Sequence, residues 1–171
     1  VPLSDRINEM EFYFPLNPLT PQLLQEIFIY DTNRDMAPNY PVQLEKLVFA
    51  PTAGYMKGFI DLVFHHQGKF FIVDWKSNYL GSNRENYSKE SLIKAMQENS
   101  YMLQYHLYTL ALFQYLRRRK PDFDYESHFG GILYIFLRGV DETREPARGV
   151  FDDSPPLSLI NKLGEALIPG F

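Results

Sequence analysis

Hydrophobic and polar positions alternate most clearly along residues 58–76, GFIDLVFHHQGKFFIVDWK, where two runs rich in β-branched and aromatic residues flank a short polar break. Residues 58–65 and 70–75 read as strands, and the break His66-Gln67-Gly68-Lys69 holds the glycine that a tight turn needs at positive φ. A two-residue loop at Gln67-Gly68 sets His66 opposite Lys69, Val63 opposite Ile72 and Asp61 opposite Asp74, and a four-residue loop gives the same register. One face of this hairpin, Ile60, Leu62, Phe64, Phe71, Val73 and Trp75, is apolar throughout, which places the two aspartates in the interior of a core hairpin. Lys76, two residues beyond Asp74, projects to the same side as both acids.

The same two periods organise the rest of the chain. Glu9, Glu11 and Tyr13 alternate with Met10, Phe12 and Phe14, predicting a half-buried strand that Pro15 ends. Residues 20–30 predict a helix with Thr20 as N-cap, Pro21 in its first turn and Leu23, Leu24, Ile27 and Phe28 inward. Residues 31–40 read as a loop, 42–49 as a strand and 51–54 as a turn, with the next strand starting near Tyr55. Beyond Lys76, residues 77–87 form a polar loop beside the hairpin end. Ser88 then opens a helix to about Asn99, and a longer one runs from about Tyr101 to Lys120, where Pro121 stops it. Residues 129–137 are a near-continuous apolar run, the pattern of a central strand, and Gly130-Gly131 within it predicts a bulge or a close backbone approach. After a polar loop at 141–153, residues 155–168 form an amphipathic helix with Leu159, Ile160, Leu163 and Leu167 inward. The order predicts an α/β domain: a central mixed β-sheet flanked by helices.

Composition narrows the class. A length of 171 residues, 45% hydrophobic and 16% aromatic, fits one folded domain. No apolar run reaches the ~18 residues needed to cross a bilayer, so no membrane role is expected. Without cysteine there is no disulfide or zinc–thiolate site, which suits a reducing compartment, and the cytoplasm is the expectation. A net charge of −4 argues against a module that captures DNA unaided, yet it is compatible with a catalytic domain fed by a larger machine. The chain begins with valine and shows no targeting segment, and it reads as a piece of something longer. No Walker A loop and no Ser-His-Asp order is present, and the four histidines have no metal-site spacing.

The chemistry gathers on the hairpin. Directly opposed residues have Cβ atoms about 4.5–5.5 Å apart, so two like charges there need a neutralising partner. A hard divalent cation such as Mg²⁺ takes oxygen ligands from one or two carboxylates, water and phosphate, and opposed aspartates supply them. The compact charge of a lysine beside them can hold a water or stabilise negative charge growing on a phosphate. Phosphodiester hydrolysis needs that combination. The competing reading is a lysine bridging two carboxylates for stability alone. Gln104 and Tyr108, four apart, share one helical face and read either as a polar shoulder or as support for the site. The run Arg117-Arg118-Arg119-Lys120 stabilises a helix C-terminus through the macrodipole, with phosphate contact as the alternative.

Gly58-Phe59-Ile60-Asp61 followed by Val73-Asp74-Trp75-Lys76 resembles the G-x-x-D and D-x-K motifs of the PD-(D/E)xK nuclease superfamily, in its RecB-like branch. Gln104 to Tyr108 matches that branch's Q-x-x-x-Y motif, and Glu9-Met10-Glu11-Phe12 resembles its E-x-x-F element. The resemblance implies a restriction-endonuclease-like core and a Mg²⁺-dependent deoxyribonuclease. It implies that Asp61, Asp74 and the backbone carbonyl of Trp75 bind the metal, that Lys76 is catalytic, and that Glu9, Gln104 and Tyr108 support them. It further implies a single nuclease domain over residues 1–171, the C-terminal part of a larger helicase–nuclease subunit cut short on its N-terminal side. Such a subunit belongs to an exodeoxyribonuclease V type complex in double-strand break repair and recombination. Its partners are DNA, chiefly single-stranded, subunits of RecC and RecD type, and RecA. The family's metal-binding histidine stands upstream of the glutamate, and no histidine precedes Glu9; the expectation for this stretch alone is weak Mg²⁺ binding and poor cleavage. The rival expectation is a nuclease-like domain kept as a non-catalytic docking scaffold in a helicase complex.

Overall fold

Two consecutive residues at positive φ, Gln67 at 48° and Gly68 at 80°, turn the chain back on itself between His66 and Lys69. Both central residues of a type I′ turn have φ > 0, and its twist matches that of the strands it joins. The computed structural model that shows this hairpin describes residues 1–29, 40–45, 52–140 and 148–171. The hairpin strands are β2 (Thr52–His66) and β3 (Lys69–Lys76), paired antiparallel with Val63 opposite Ile72 and His66 opposite Lys69. This is the register expected from the sequence.

The hairpin is the middle of a five-stranded mixed sheet of order β1-β2-β3-β4-β5, where β1 is Arg6–Leu19, β4 Phe129–Phe136 and β5 Val150–Asp153. β4 runs parallel to β3, and β5 antiparallel to β4. The register of β3 and β4 slips between Phe70 and Phe71, where Phe71 pairs with Gly131 and passes over Gly130. A side chain on Gly130 would collide with the Phe71 ring, so the glycine pair serves as both bulge and close approach.

The helices are α1 (Pro21–Ile29), α2 (Tyr40–Glu45), α3 (Lys89–Glu98), α4 (Tyr101–Arg119), α5 (Tyr125–His128) and α6 (Leu157–Leu167). Thr20 caps α1 as expected, its Oγ1 accepting from the Leu23 N–H at 3.1 Å. Ser88 caps α3, and Asn99 with the left-handed Ser100, at φ 57°, separates α3 from α4. By contacts the chain falls into two units: residues 1–10 with 59–154, and residues 11–58 with 155–171. In the first, α4 lies on the β3-β4-β5 face, with Gln104 reaching Lys76 and the Tyr105 hydroxyl reaching Asp153 at 2.7 Å. In the second, Leu24, Ile27 and Phe28 of α1 and Leu159, Ile160, Leu163 and Leu167 of α6 are buried.

Four sequence expectations need correction. Pro15 does not end the first strand, which continues to Leu19; β1 is an edge strand, where a proline forfeits no ladder bond, and Pro15 and Pro18 are both exposed. The strand expected at 42–49 is a helix over Tyr40–Glu45, with Pro41 in its first turn and the buried pair Tyr40 and Leu44 four apart on one face; residues 46–49 lie outside the described residues. The turn expected at 51–54 is replaced, from Thr52 on, by the start of β2. Residues 150–153 of the expected polar loop form β5, because the Asp153 side chain has a partner in Tyr105 and Phe151 is buried.

Because no atom surrounds a Cβ built on Gly68, replacing it tests backbone preference alone. Gly68→Ala is expected to lower stability by about 1 kcal/mol, and Gly68→Asn by clearly less, since asparagine tolerates the left-handed region. Urea unfolding of the two variants measures this; equal losses would refute the type I′ geometry.

Candidate active site

Alternation along β3 decides which side chains meet. Ile72, Asp74 and Lys76 point to one face and are all buried, with Asp74 3% and Lys76 8% exposed. The acid-bearing face is thus a buried one, while Trp75 on the apolar face is 44% exposed. Burying two charges demands partners, and α4 and β4 provide them. In the parallel register Tyr134 sits beside Asp74 and Phe136 beside Lys76.

The Lys76 ammonium is held from four directions. Nζ lies 2.7 Å from Oδ2 of Asp74 and donates to Oε1 of Gln104 at 3.0 Å. It also stands 3.7 Å from the centroid of the Tyr101 ring and 5.0 Å from that of Tyr134, within range of the attraction between a cation and an aromatic face. Gln104 is the hub: the Tyr134 hydroxyl donates to the same Oε1 at 3.0 Å, and Nε2 donates to the Tyr108 hydroxyl at 2.9 Å. Only an amide with its oxygen toward the cation satisfies all three bonds. Tyr101, Gln104 and Tyr108 occupy positions i, i+3 and i+7 of α4, one helical face.

Asp61 reaches the same place from β2. The ladder ends at Leu62 opposite Val73, and one step further Oδ2 of Asp61 accepts the Trp75 N–H at 2.9 Å. Burial pushes the Asp74 carboxyl above the usual carboxylate range; the Lys76 ammonium pulls part of the way back, and the Asp61 charge adds to the rise. Burial and the Asp74 charge push the Tyr108 hydroxyl up to about 12, and burial also raises that of Tyr134, so both phenols stay neutral at physiological pH.

The donor set suits a hard cation. Oδ2 of Asp74 is wholly buried with the Lys76 ammonium as its one partner among the described residues, and a second carboxylate adjoins it. Among the described residues no three or more His, Cys, Asp or Glu side chains gather into an ion-holding group. A cation here would therefore draw on Asp61, Asp74, backbone oxygen such as the Trp75 carbonyl, and water. Glu9 stands apart: it is exposed, sits at φ 50° inside β1, and among the described residues no hydrogen bond or ion pair joins it to Asp61, Asp74 or Lys76. Tyr101 and Tyr134 escaped the sequence reading. Nothing in spacing marks Tyr134, whose place beside Asp74 depends on a parallel pairing across 60 residues of chain, whereas Tyr101 stands one helical step before Gln104 and was findable there. Of the basic run, Arg119 lies 4.7 Å from the Tyr115 ring centroid and Lys120 pairs with Asp122 at 2.7 Å, as helix-end cations commonly do.

The sequence that carries these residues is similar to known proteins. Residues 18–162 match the model of the PD-(D/E)XK nuclease superfamily, a span that takes in Asp61, Asp74, Lys76, Gln104 and Tyr108 and leaves out Glu9. The chain is 44% identical over 158 residues to the RecBCD enzyme subunit RecB of Escherichia coli (strain K12), covering 92% of this chain and 13% of that protein. It is 40% identical over 160 residues to the subunit of the same name from Haemophilus influenzae, covering 94% and 12%. With that of Borreliella burgdorferi the identity is 32% over 145 residues, covering 85% and 11%. The chain thus spans a small fraction of the length of these relatives. Among the described residues no helix is long and apolar enough to cross a membrane.

The raised Asp74 carboxyl has a definite sign. A carboxyl whose folded-state pKa exceeds its unfolded value of 3.8 costs nothing below that value and destabilises increasingly as pH rises through the folded one. In metal-free buffer Asp74→Asn is therefore expected to gain thermal stability relative to the unsubstituted chain as pH rises from 3.5 to 7. Melting curves across that range check it; a pH-independent difference would contradict the assignment.

Proposed function

The chain belongs to the PD-(D/E)XK nuclease superfamily, and on that footing we propose that it is a Mg²⁺-dependent nuclease domain that hydrolyses DNA phosphodiesters, chiefly in single strands. The observation that carries this reading is the convergence of Asp61, Asp74 and a buried, four-sided Lys76 on one face of the sheet. A structural ion pair needs neither the second carboxylate nor a lysine walled by two tyrosine rings.

Asp61 and Asp74, with the Trp75 carbonyl, would hold the ion. When bound, Mg²⁺ supplies Lewis-acid stabilisation of phosphate oxygens and a more acidic water. The chain's own groups do the remainder. Lys76, held by Gln104 and Tyr101, presents a fixed positive charge that orients the attacking water or stabilises the charge that develops on the pentavalent phosphate. Gln104 and Tyr108 keep that ammonium from rotating away, and their neutral hydrogen bonds add no competing charge. Glu9, which among the described residues no bond joins to these side chains, would act only from the outer shell, through water.

The likeness to RecB subunits supports a place for this domain in a RecBCD-type helicase–nuclease of the bacterial cytoplasm, acting in double-strand break repair and recombination. Its partners would be subunits of RecC and RecD type, with RecA downstream. The single domain read over residues 1–171 would be the nuclease part of that larger subunit.

In the full-length subunit Asp74→Ala and Lys76→Ala are each expected to lower Mg²⁺-dependent cleavage of single-stranded DNA by at least about 100-fold, with far-ultraviolet circular dichroism unchanged. Retention of cleavage by Asp74→Ala would remove the metal assignment. An unsubstituted subunit that never cleaves would favour the docking-scaffold alternative.

A further inference from the structure

The segment that leaves the site carries an arrangement that neither the motifs nor the mechanism uses. Tyr79, three residues past Lys76, is 66% exposed. The guanidinium of Arg138 stands 5.9 Å from the centroid of its ring, within cation–π range, and its Nε donates to the Ser77 carbonyl at 3.0 Å. The end of β4 is tied to the same segment by the Leu137 N–H, which donates to the Lys76 carbonyl at 3.0 Å. On the other side Asn78 accepts from the hydroxyl of Tyr101, whose ring lies on Lys76. A large aromatic ring is thus left in solvent on a segment pinned on one side to the end of β4 and on the other to Tyr101, whose ring lies on the Lys76 ammonium.

The Arg138 bond to Ser77 secures the segment, but leaving the Tyr79 ring largely in solvent forgoes the burial that would stabilise the fold. Arg138 is itself exposed, and among the described residues no carboxylate pairs with it, although the chain is acidic overall. An aromatic face stacks any nucleobase, and a planar guanidinium donates to phosphate oxygens. Three residues of extended chain reach about 10 Å, a span of one to three nucleotides from a phosphate held at Lys76. We propose that Tyr79 and Arg138 form a sequence-tolerant stacking subsite for the single-stranded DNA base one to three nucleotides from the scissile phosphate. Tyr79 supplies the ring, and Arg138 sets its orientation and contacts the adjoining phosphate. This rests on the nuclease reading for the position of the phosphate, while the stacking itself does not require cleavage.

Two readouts separate these dependences. In steady-state cleavage of single-stranded DNA by the full-length subunit with Mg²⁺, Tyr79→Ala is expected to raise KM about 10-fold at unchanged kcat, with Tyr79→Phe near the unsubstituted value and Arg138→Ala in between. In EDTA, ultraviolet crosslinking of a 5-iodouracil-substituted oligothymidylate to the full-length subunit, mapped by mass spectrometry, is expected to place the adduct on Tyr79. A crosslink at Tyr79 in a subunit that does not cleave would retain the subsite and sink the nuclease reading. Normal cleavage with KM unchanged in Tyr79→Ala and no adduct on residues 77–81 would overturn the subsite alone. Loss of co-purification with partner subunits in Tyr79→Ala, with KM unchanged, would also overturn it and make this surface a protein interface.

Discussion

A lysine ammonium held away from water is the constraint on which the rest of the structure depends. Removing a cation from solvent costs several kcal/mol unless charge and dipoles replace the lost hydration. Around Lys76 the replacement is shared among a carboxylate, an amide oxygen and two aromatic faces. They come from three elements: β3 itself, the first turn of α4, and β4. The helix cannot slide or rotate by one residue without exposing the cation to an unmatched surface. Gln104 is the tightest point, since its one oxygen serves both Lys76 and Tyr134 while its nitrogen serves Tyr108. A network satisfied at every member fixes a unique packing; one lost member leaves buried polar atoms stranded.

The two acids are treated unequally, and that inequality is chemically useful. Asp61 is half-buried and spends one oxygen on the Trp75 N–H, which pins its orientation at the end of the β2 and β3 ladder. Asp74 is buried more deeply and has the Lys76 ammonium as the one partner of its Oδ2 among the described residues. One carboxylate is anchored by a backbone N–H and the other by the Lys76 charge.

What the sequence disclosed was local. The β2 and β3 register followed from a period of two and from one glycine at the turn, and the caps Thr20 and Ser88 followed from side chains that compete for the first N–H groups of a helix. What it hid was non-local or balanced. Residues 40–45 carry mixed propensities, and their helix is decided by where Tyr40 and Leu44 bury. Residues 150–153 look like loop because Asp152 and Asp153 are polar, yet pairing with β4 makes them strand. Within the site, Asp61, Asp74, Lys76, Gln104 and Tyr108 sat on recognisable spacings, whereas Tyr134 meets Lys76 only through the parallel alignment of β3 and β4.

That alignment bears on the order in which the molecule assembles. The β2 and β3 hairpin closes through a two-residue loop, an event of about 1–10 μs, so Asp61 and Asp74 approach each other early. The parallel partner lies beyond α3, α4 and α5, and bringing it in requires closure of a loop of more than fifty residues. For that interval the acid pair exists with no tyrosine rings and no Gln104 around its lysine. The surround of Lys76 thus depends on a contact of high sequence separation, while the approach of the two acids depends on a local one.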